Sequence, residues 1–147
     1  MPVVYFDASA FVKLLVEEPG SELAAALWDG CDAAASSRLA YPEVRAALAA
    51  ARRNHDLDRD GFEQAERSFD EFWRATRPVE LTPALERHAG ELAGEHALRG
   101  ADAVHLASAL ALSDADLIVA VWDRALHAGA LAACLGVAPV DLATEPL

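Results

Sequence analysis

Basic residues are scarce in this chain. Lys and Arg together number 12 against 24 Asp and Glu, a net charge of −12, and Lys13 is the only lysine. Such a surface repels nucleic acid at long range and excludes a DNA-binding module that works through its own basic face. It does not exclude a nuclease, because bound cations and a local Arg patch can override the global sign. Cysteine is scarce as well. Cys31 and Cys134 lie far apart, with no CxxC or zinc-like spacing, so a reduced, cytoplasmic setting is expected. Long apolar runs are missing: even the stretch 103–122 is interrupted by His105, Asp114 and Asp116, so no membrane span is expected. The opening Met-Pro-Val-Val-Tyr-Phe-Asp has no basic start and meets an acid too soon for a secretory signal. There is no P-loop, no dinucleotide-binding glycine fingerprint and no G-x-S-x-G elbow.

What the chain does have is a 54% hydrophobic share over 147 residues, enough to bury a core in one domain spanning residues 1–147. Residues 2–6 read as a short buried strand, followed by a helix from Ser9 to Glu17 that Pro19-Gly20 breaks. Ser21 caps the next helix, and residues 32–36 form a weak second strand. A long helix starts at Tyr41-Pro42-Glu43, with Pro42 in the first helical position, and runs to Asn54. Residues 61–75 are amphipathic, with Phe62, Ala65, Phe69, Phe72 and Trp73 on one face. Residues 78–81 form a short strand, and Thr82-Pro83 caps a helix ending near Gly100. Asp102 begins a helix to Leu112, residues 117–122 form the clearest strand, and Asp123 caps a last helix to Leu135, which Gly136 stops. Residues 137–142 close the pattern as a strand. Strands alternating with helices imply an α/β fold with a parallel sheet covered on both faces.

Four acids stand at places where an acid is costly unless it has a role. Asp7 ends the apolar run Val3-Val4-Tyr5-Phe6, and Asp123 ends the run Leu117 to Trp122. Glu43 and Asp102 open Ala/Leu-rich helical stretches. Each has a plain structural reading: Asp7 and Asp123 as helix N-caps, worth about 1 kcal/mol, and Glu43 and Asp102 as partners of a helix dipole, worth about 0.3–1 kcal/mol. Their context favours convergence, because the two apolar strands should be neighbours and ligands in such folds bind beyond the strands' carboxyl ends. Converging acids repel one another unless protonated or bridged by a cation, and oxygen ligands suit a hard divalent metal and phosphodiester chemistry. Ser9 is placed to assist them. Asp116 is carried as an accessory acid, although residues 113–116 also read as an ordinary polar turn. His105 shares the Asp102 face and reads first as a hydrogen-bonding group at the core edge.

The motifs Tyr5-Phe6-Asp7-Ala8-Ser9-Ala10-Phe11-Val12-Lys13-Leu14, Tyr41-Pro42-Glu43-Val44-Arg45-Ala46-Ala47-Leu48, Leu98 to Ala109 around Asp102, and Trp122-Asp123-Arg124-Ala125-Leu126 occur in one order through nearly the whole chain. Together they resemble the PIN-domain family, and within it the VapC-type toxins of bacterial toxin–antitoxin pairs. The resemblance implies a three-layer α/β/α fold with a central parallel sheet of four to five short strands. It implies a Mg²⁺-dependent endoribonuclease (Mn²⁺ serving as well) in which Asp7, Glu43, Asp102 and Asp123 hold the metal. An RNA substrate and a VapB-type antitoxin partner follow from it. One position departs from the family pattern: Val121 stands where a Thr or Ser commonly precedes the fourth acid by two residues.

Alternative chemistries lack their residues. A receiver-type phospho-acceptor needs a Lys beyond a later strand, and a haloacid-dehalogenase-type phosphatase needs an Asp where this chain has Ser9. A PIN-like interaction module, whose acidic pocket binds a partner's Arg, is the remaining alternative. The aromatic set Phe62, Phe69, Phe72 and Trp73 is expected to help form a homodimer.

Overall fold

A computed structural model describes residues 2–142. Twelve elements follow one another along the described chain: β1 (Val3–Phe6), α1 (Ala8–Leu15), α2 (Ser21–Gly30), β2 (Ala33–Ser37), α3 (Ala40–Arg53), α4 (Arg59–Arg74), β3 (Thr76–Val79), α5 (Pro83–His96), α6 (Gly100–Ala111), β4 (Ile118–Ala120), α7 (Arg124–Ala132) and β5 (Gly136–Ala138). All strand pairs are parallel, in the order β3-β2-β1-β4-β5. From β1 the chain steps outward to β2 and β3, then returns to lay β4 on the other side of β1. The β1–β4 seam is therefore the point where the strand order reverses, and such a seam opens a crevice at the strands' carboxyl ends.

Alternation along β1 builds two cores. Val4 and Phe6 point into one shared with Phe11, Val44, Leu48 and Phe69 of α1, α3 and α4. Tyr5 points into the other, shared with Leu92, Leu106 and Leu126 of α5, α6 and α7. Helices cover both faces of the sheet, which is the three-layer arrangement expected. Both faces of a parallel sheet are buried, so its strands tolerate continuous apolar or small residues. That is why Ala33-Ala34-Ala35-Ser36-Ser37 serves as a strand despite weak propensity. The Ser36 hydroxyl donates to the Phe6 carbonyl at 2.6 Å and ties β2 to the end of β1.

Several boundaries differ from expectation. Pro42 occupies the third position of α3, where its missing N–H is also harmless because the first four helical N–H groups have no partner in the helix. Ser21 does not cap α2: the cap is Gly20, at φ +98, and Ser21 Oγ instead accepts the Glu18 N–H and donates to the Val16 carbonyl. β3 begins at Thr76, directly after α4, and Pro78 is accommodated because β3 is an edge strand. α6 begins two residues before Asp102. Gly136 opens β5 rather than merely stopping α7, and the ladder ends before Pro139, which has no N–H to give.

The aromatic face expected to support a homodimer is partly covered by the chain's own helices. Phe69 is fully buried, Phe11 packs on Phe69 and Trp73, and Trp28 packs edge-on against Phe72. Among the described residues the exposed large apolar side chains are Leu81, Leu131 and Val140, which belong to other elements. What this face offers a second subunit is the part of Phe62, Phe72 and Trp73 that the chain leaves half-buried. No helix of the described chain is long and apolar enough to cross a membrane, and Cys31 and Cys134 are free thiols.

Candidate metal centre

The acids at the strand ends are placed by the sheet itself. Asp7 follows β1 and caps α1, with Oδ1 accepting the Ala10 N–H at 3.0 Å and the Ser9 hydroxyl at 2.6 Å. Asp123 follows β4 and caps α7, with Oδ1 accepting the Leu126 N–H at 2.9 Å. The capping reading of both residues is therefore correct, and it occupies only one oxygen of each. Glu43 sits in the first turn of α3, and its Oε1 lies 2.6 Å from Nε2 of His105 on α6. Asp102 lies in the first turn of α6. Its Oδ2 is buried with no hydrogen-bond partner, its nearest cation being the Arg99 guanidinium at 3.8 Å.

All four acids line one cavity of about 370 Å³, together with Ser9, Arg99 and His105. Asp116 is elsewhere. It lies exposed in the turn ahead of β4, where its N–H bonds Asp114 Oδ1 at 2.9 Å, at the opposite end of the strand from Asp123. The turn reading describes its position, because the residue precedes the strand that the site follows. Val121 is fully buried in the core on the α5–α7 face and does not line the cavity.

Electrostatics record the crowding. Burial, reinforced by the Asp123 charge and opposed by His105, Ser9 and the Ala10 N–H, pushes the Asp7 carboxyl up to about 6. Asp102 is also raised, by burial and then by Asp123. Burial pulls the His105 imidazole down, but its bond to Glu43 and the charges of Asp7, Glu43 and Asp102 outweigh this and leave it raised. Burial and the Asp7 charge hold the Tyr5 hydroxyl well above its ordinary range, so it stays protonated.

Oxygen-only donors, two of them buried against their own charge, suit a hard divalent cation. A buried carboxylate oxygen without a partner is costly unless something fills the role, and Asp102 Oδ2 meets that description. Among the described residues no three acid, imidazole or thiol groups form a ready-made metal cage.

A PIN domain family model matches residues 4–141. The chain belongs to the PIN-domain family. It is 72% identical over 142 residues to Ribonuclease VapC49 of Mycobacterium tuberculosis (strain ATCC 25618 / H37Rv), a match covering 97% of this chain and 99% of that one. Among solved structures, VapC20 of Mycobacterium tuberculosis, a toxin that cleaves the sarcin-ricin loop, superposes with a TM-score of 0.65 at 18% identity, covering 85% of this chain and 93% of that one. VapBC2 from Rickettsia felis, bound to a DNA fragment from its promoter, superposes with a TM-score of 0.63 at 13% identity over 92% and 96%. These two agree with the PIN fold described above.

Two residues at or behind the candidate site have no signal of their own in the sequence. Tyr5 was read only as part of a strand, and its hydroxyl lies 2.7 Å from Nδ1 of His105. Arg99, on the cavity rim, carried no motif of its own beyond its neighbourhood to Asp102.

Proposed function

We propose that Asp7, Glu43, Asp102 and Asp123 hold one or two divalent cations, Mg²⁺ or Mn²⁺, and that the chain hydrolyses RNA phosphodiesters as the toxin of a toxin–antitoxin pair. The chain is a ribonuclease of the VapC class. The observation that carries the metal reading is the pairing of one anchored oxygen with one uncommitted oxygen on Asp7, Glu43 and Asp123, beside the partnerless Asp102 Oδ2. A bound divalent cation would supply a water activated for attack and neutralise charge developing on the phosphate. Asp7, held by Ser9 and the α1 N-terminus, keeps its geometry without moving a backbone. Arg99, with its side chain 85% exposed at the rim, is the arginine lining the acidic cavity and is placed to take a substrate phosphate.

Ribonuclease VapC49 at 72% identity supports the substrate class, and the VapBC2 complex supports a VapB-type antitoxin as partner. The pocket's own chemistry says how such a partner would act. An acidic cavity that already draws Arg99 towards Asp102 favours a further guanidinium, whose planar fork pairs two carboxylate oxygens at once. Incubation of total cellular RNA with the wild type and with Asp7→Asn, side by side, tests the activity. Cleavage by the wild type alone supports it, and equal cleavage by both removes Asp7 from the chemistry.

A further inference from the structure

Three of the four acids share a device: one oxygen is tied by the protein while the other is left for the cavity. For Asp7 and Asp123 the tie is a backbone N–H at a helix start, at 3.0 Å and 2.9 Å. These carboxylates have short stems, so a single N–H orients them. Glu43 has one more rotatable bond, and its carboxylate reaches from α3 across to His105 on α6. Ordering such a side chain costs more conformational entropy, and it needs a donor from another element.

His105 is that donor. It is 2% exposed, and Nε2 lies 2.6 Å from Glu43 Oε1. A carboxylate oxygen accepts, so the pairing with Glu43 Oε1 is made by the His105 tautomer that carries Nε2–H. Behind the ring, the Tyr5 hydroxyl lies 2.7 Å from Nδ1. With Nε2–H directed at Glu43, Nδ1 of the neutral ring accepts a hydrogen bond from the Tyr5 hydroxyl, which holds the ring's orientation. In the charged ring Nδ1–H donates to the Tyr5 oxygen, and Nε2–H faces Glu43 in either case. Tyr5 is itself fully buried in β1, edge-on to the imidazole with centroids 5.9 Å apart. The chain Tyr5–His105–Glu43 therefore runs from the centre of the sheet to the cavity wall.

We propose that His105 is a positioning residue which, oriented by Tyr5, fixes Glu43 as a cation ligand. The inference rests on the metal-site reading above and deepens it. Groups that orient a metal ligand change cation affinity by roughly 10–100-fold when removed. His105 would act only through Glu43, and that distinguishes positioning from a general contribution to folding.

The test is Mn²⁺ affinity of the full chain, with free Mn²⁺ followed by electron paramagnetic resonance, for the wild type, His105→Phe, His105→Gln, Tyr5→Phe, Glu43→Gln and the double variant Glu43→Gln/His105→Phe. His105→Phe is expected to weaken Mn²⁺ roughly 10–100-fold, His105→Gln to recover most of it through its amide donor, and His105→Phe to add nothing in the Glu43→Gln background. Tyr5→Phe keeps the ring in the core and is expected to weaken Mn²⁺ a few-fold, so it carries the test if His105→Phe does not fold. Wild-type affinity in His105→Phe or, failing that, in Tyr5→Phe overturns the inference, as does a full His105→Phe effect without Glu43. An unchanged Glu43→Gln affinity instead removes Glu43 from the metal site, so the reading on which the inference rests fails with it.

Discussion

The Ser9 hydroxyl accepts the Trp122 backbone N–H at 2.9 Å, across 113 residues of sequence, while donating to Asp7 Oδ1 at 2.6 Å. One hydroxyl thereby joins the start of α1 to the end of β4, the two places from which Asp7 and Asp123 project. Ser9→Ala is expected to reduce RNA cleavage roughly 10-fold through a looser Asp7 and to cost about 1–3 kcal/mol, because the Trp122 N–H loses its acceptor. Ser9→Thr should restore most of both. Cleavage rates and urea midpoints check this, and wild-type values for Ser9→Ala would contradict it.

Asp7 makes stability depend on pH in a defined direction. Its folded pKa, about 6, lies above the ordinary 3.8, so its contribution to stability is fully present below about pH 4 and is lost as pH rises through 6. The ionised form then carries a penalty on the order of 3 kcal/mol at pH 8 without metal. Asp7→Asn should be the more stable protein at pH 8, and the difference should fade by pH 4. Denaturant midpoints in EDTA measure it. A wild type more stable than Asp7→Asn at pH 8 would contradict the crowding.

Gly20 lies at φ +98, and a Cβ there would sit 2.7 Å from the Trp122 indole nitrogen. Gly20→Ala therefore meets both backbone strain and a clash, with an expected loss of about 1–3 kcal/mol. Trp122 precedes Asp123, so Mn²⁺ affinity should fall along with the thermal midpoint. A Gly20→Ala protein as stable as wild type would show that the indole moves aside freely.

Inhibition by an antitoxin that places an Arg in the cavity should weaken as Mg²⁺ is raised, since both compete for the same carboxylates. Replacing that Arg with Ala should relieve inhibition. Inhibition insensitive to both would point to a partner that covers the RNA path and leaves the acids untouched.

Asp7 and Asp123 could be read from sequence because an apolar run ending in an acid marks a strand end, and adjacency of the two strands follows from parallel α/β architecture. Glu43 and Asp102 stood out as acids at the mouths of apolar helices, and all four share one cavity. The Tyr5–His105–Glu43 chain could not be read this way. Its members are 100 and 62 residues apart, and only the fold, which sets α6 and α3 on opposite faces of the sheet with their first turns at one cavity, brings them together. The aromatic face of α4 is a related case: amphipathic spacing marks a face for burial without naming what buries it, and here Phe11 of α1, Trp28 of α2 and Tyr41 of α3 pack against part of it. Short strands such as β3 and β5 drifted because Pro78 and Gly136 read as breakers, whereas edge positions accept both.

The central claim is that the Asp7, Glu43, Asp102 and Asp123 cavity works by holding a divalent cation. The most direct measurement is RNA cleavage against Mg²⁺ concentration, from EDTA to saturation, for the wild type and Asp102→Asn. The wild type should cleave only with the cation present, and Asp102→Asn should lose roughly 100-fold or more at saturating Mg²⁺. Cleavage by the wild type in EDTA, or by Asp102→Asn at the wild-type rate, would contradict it.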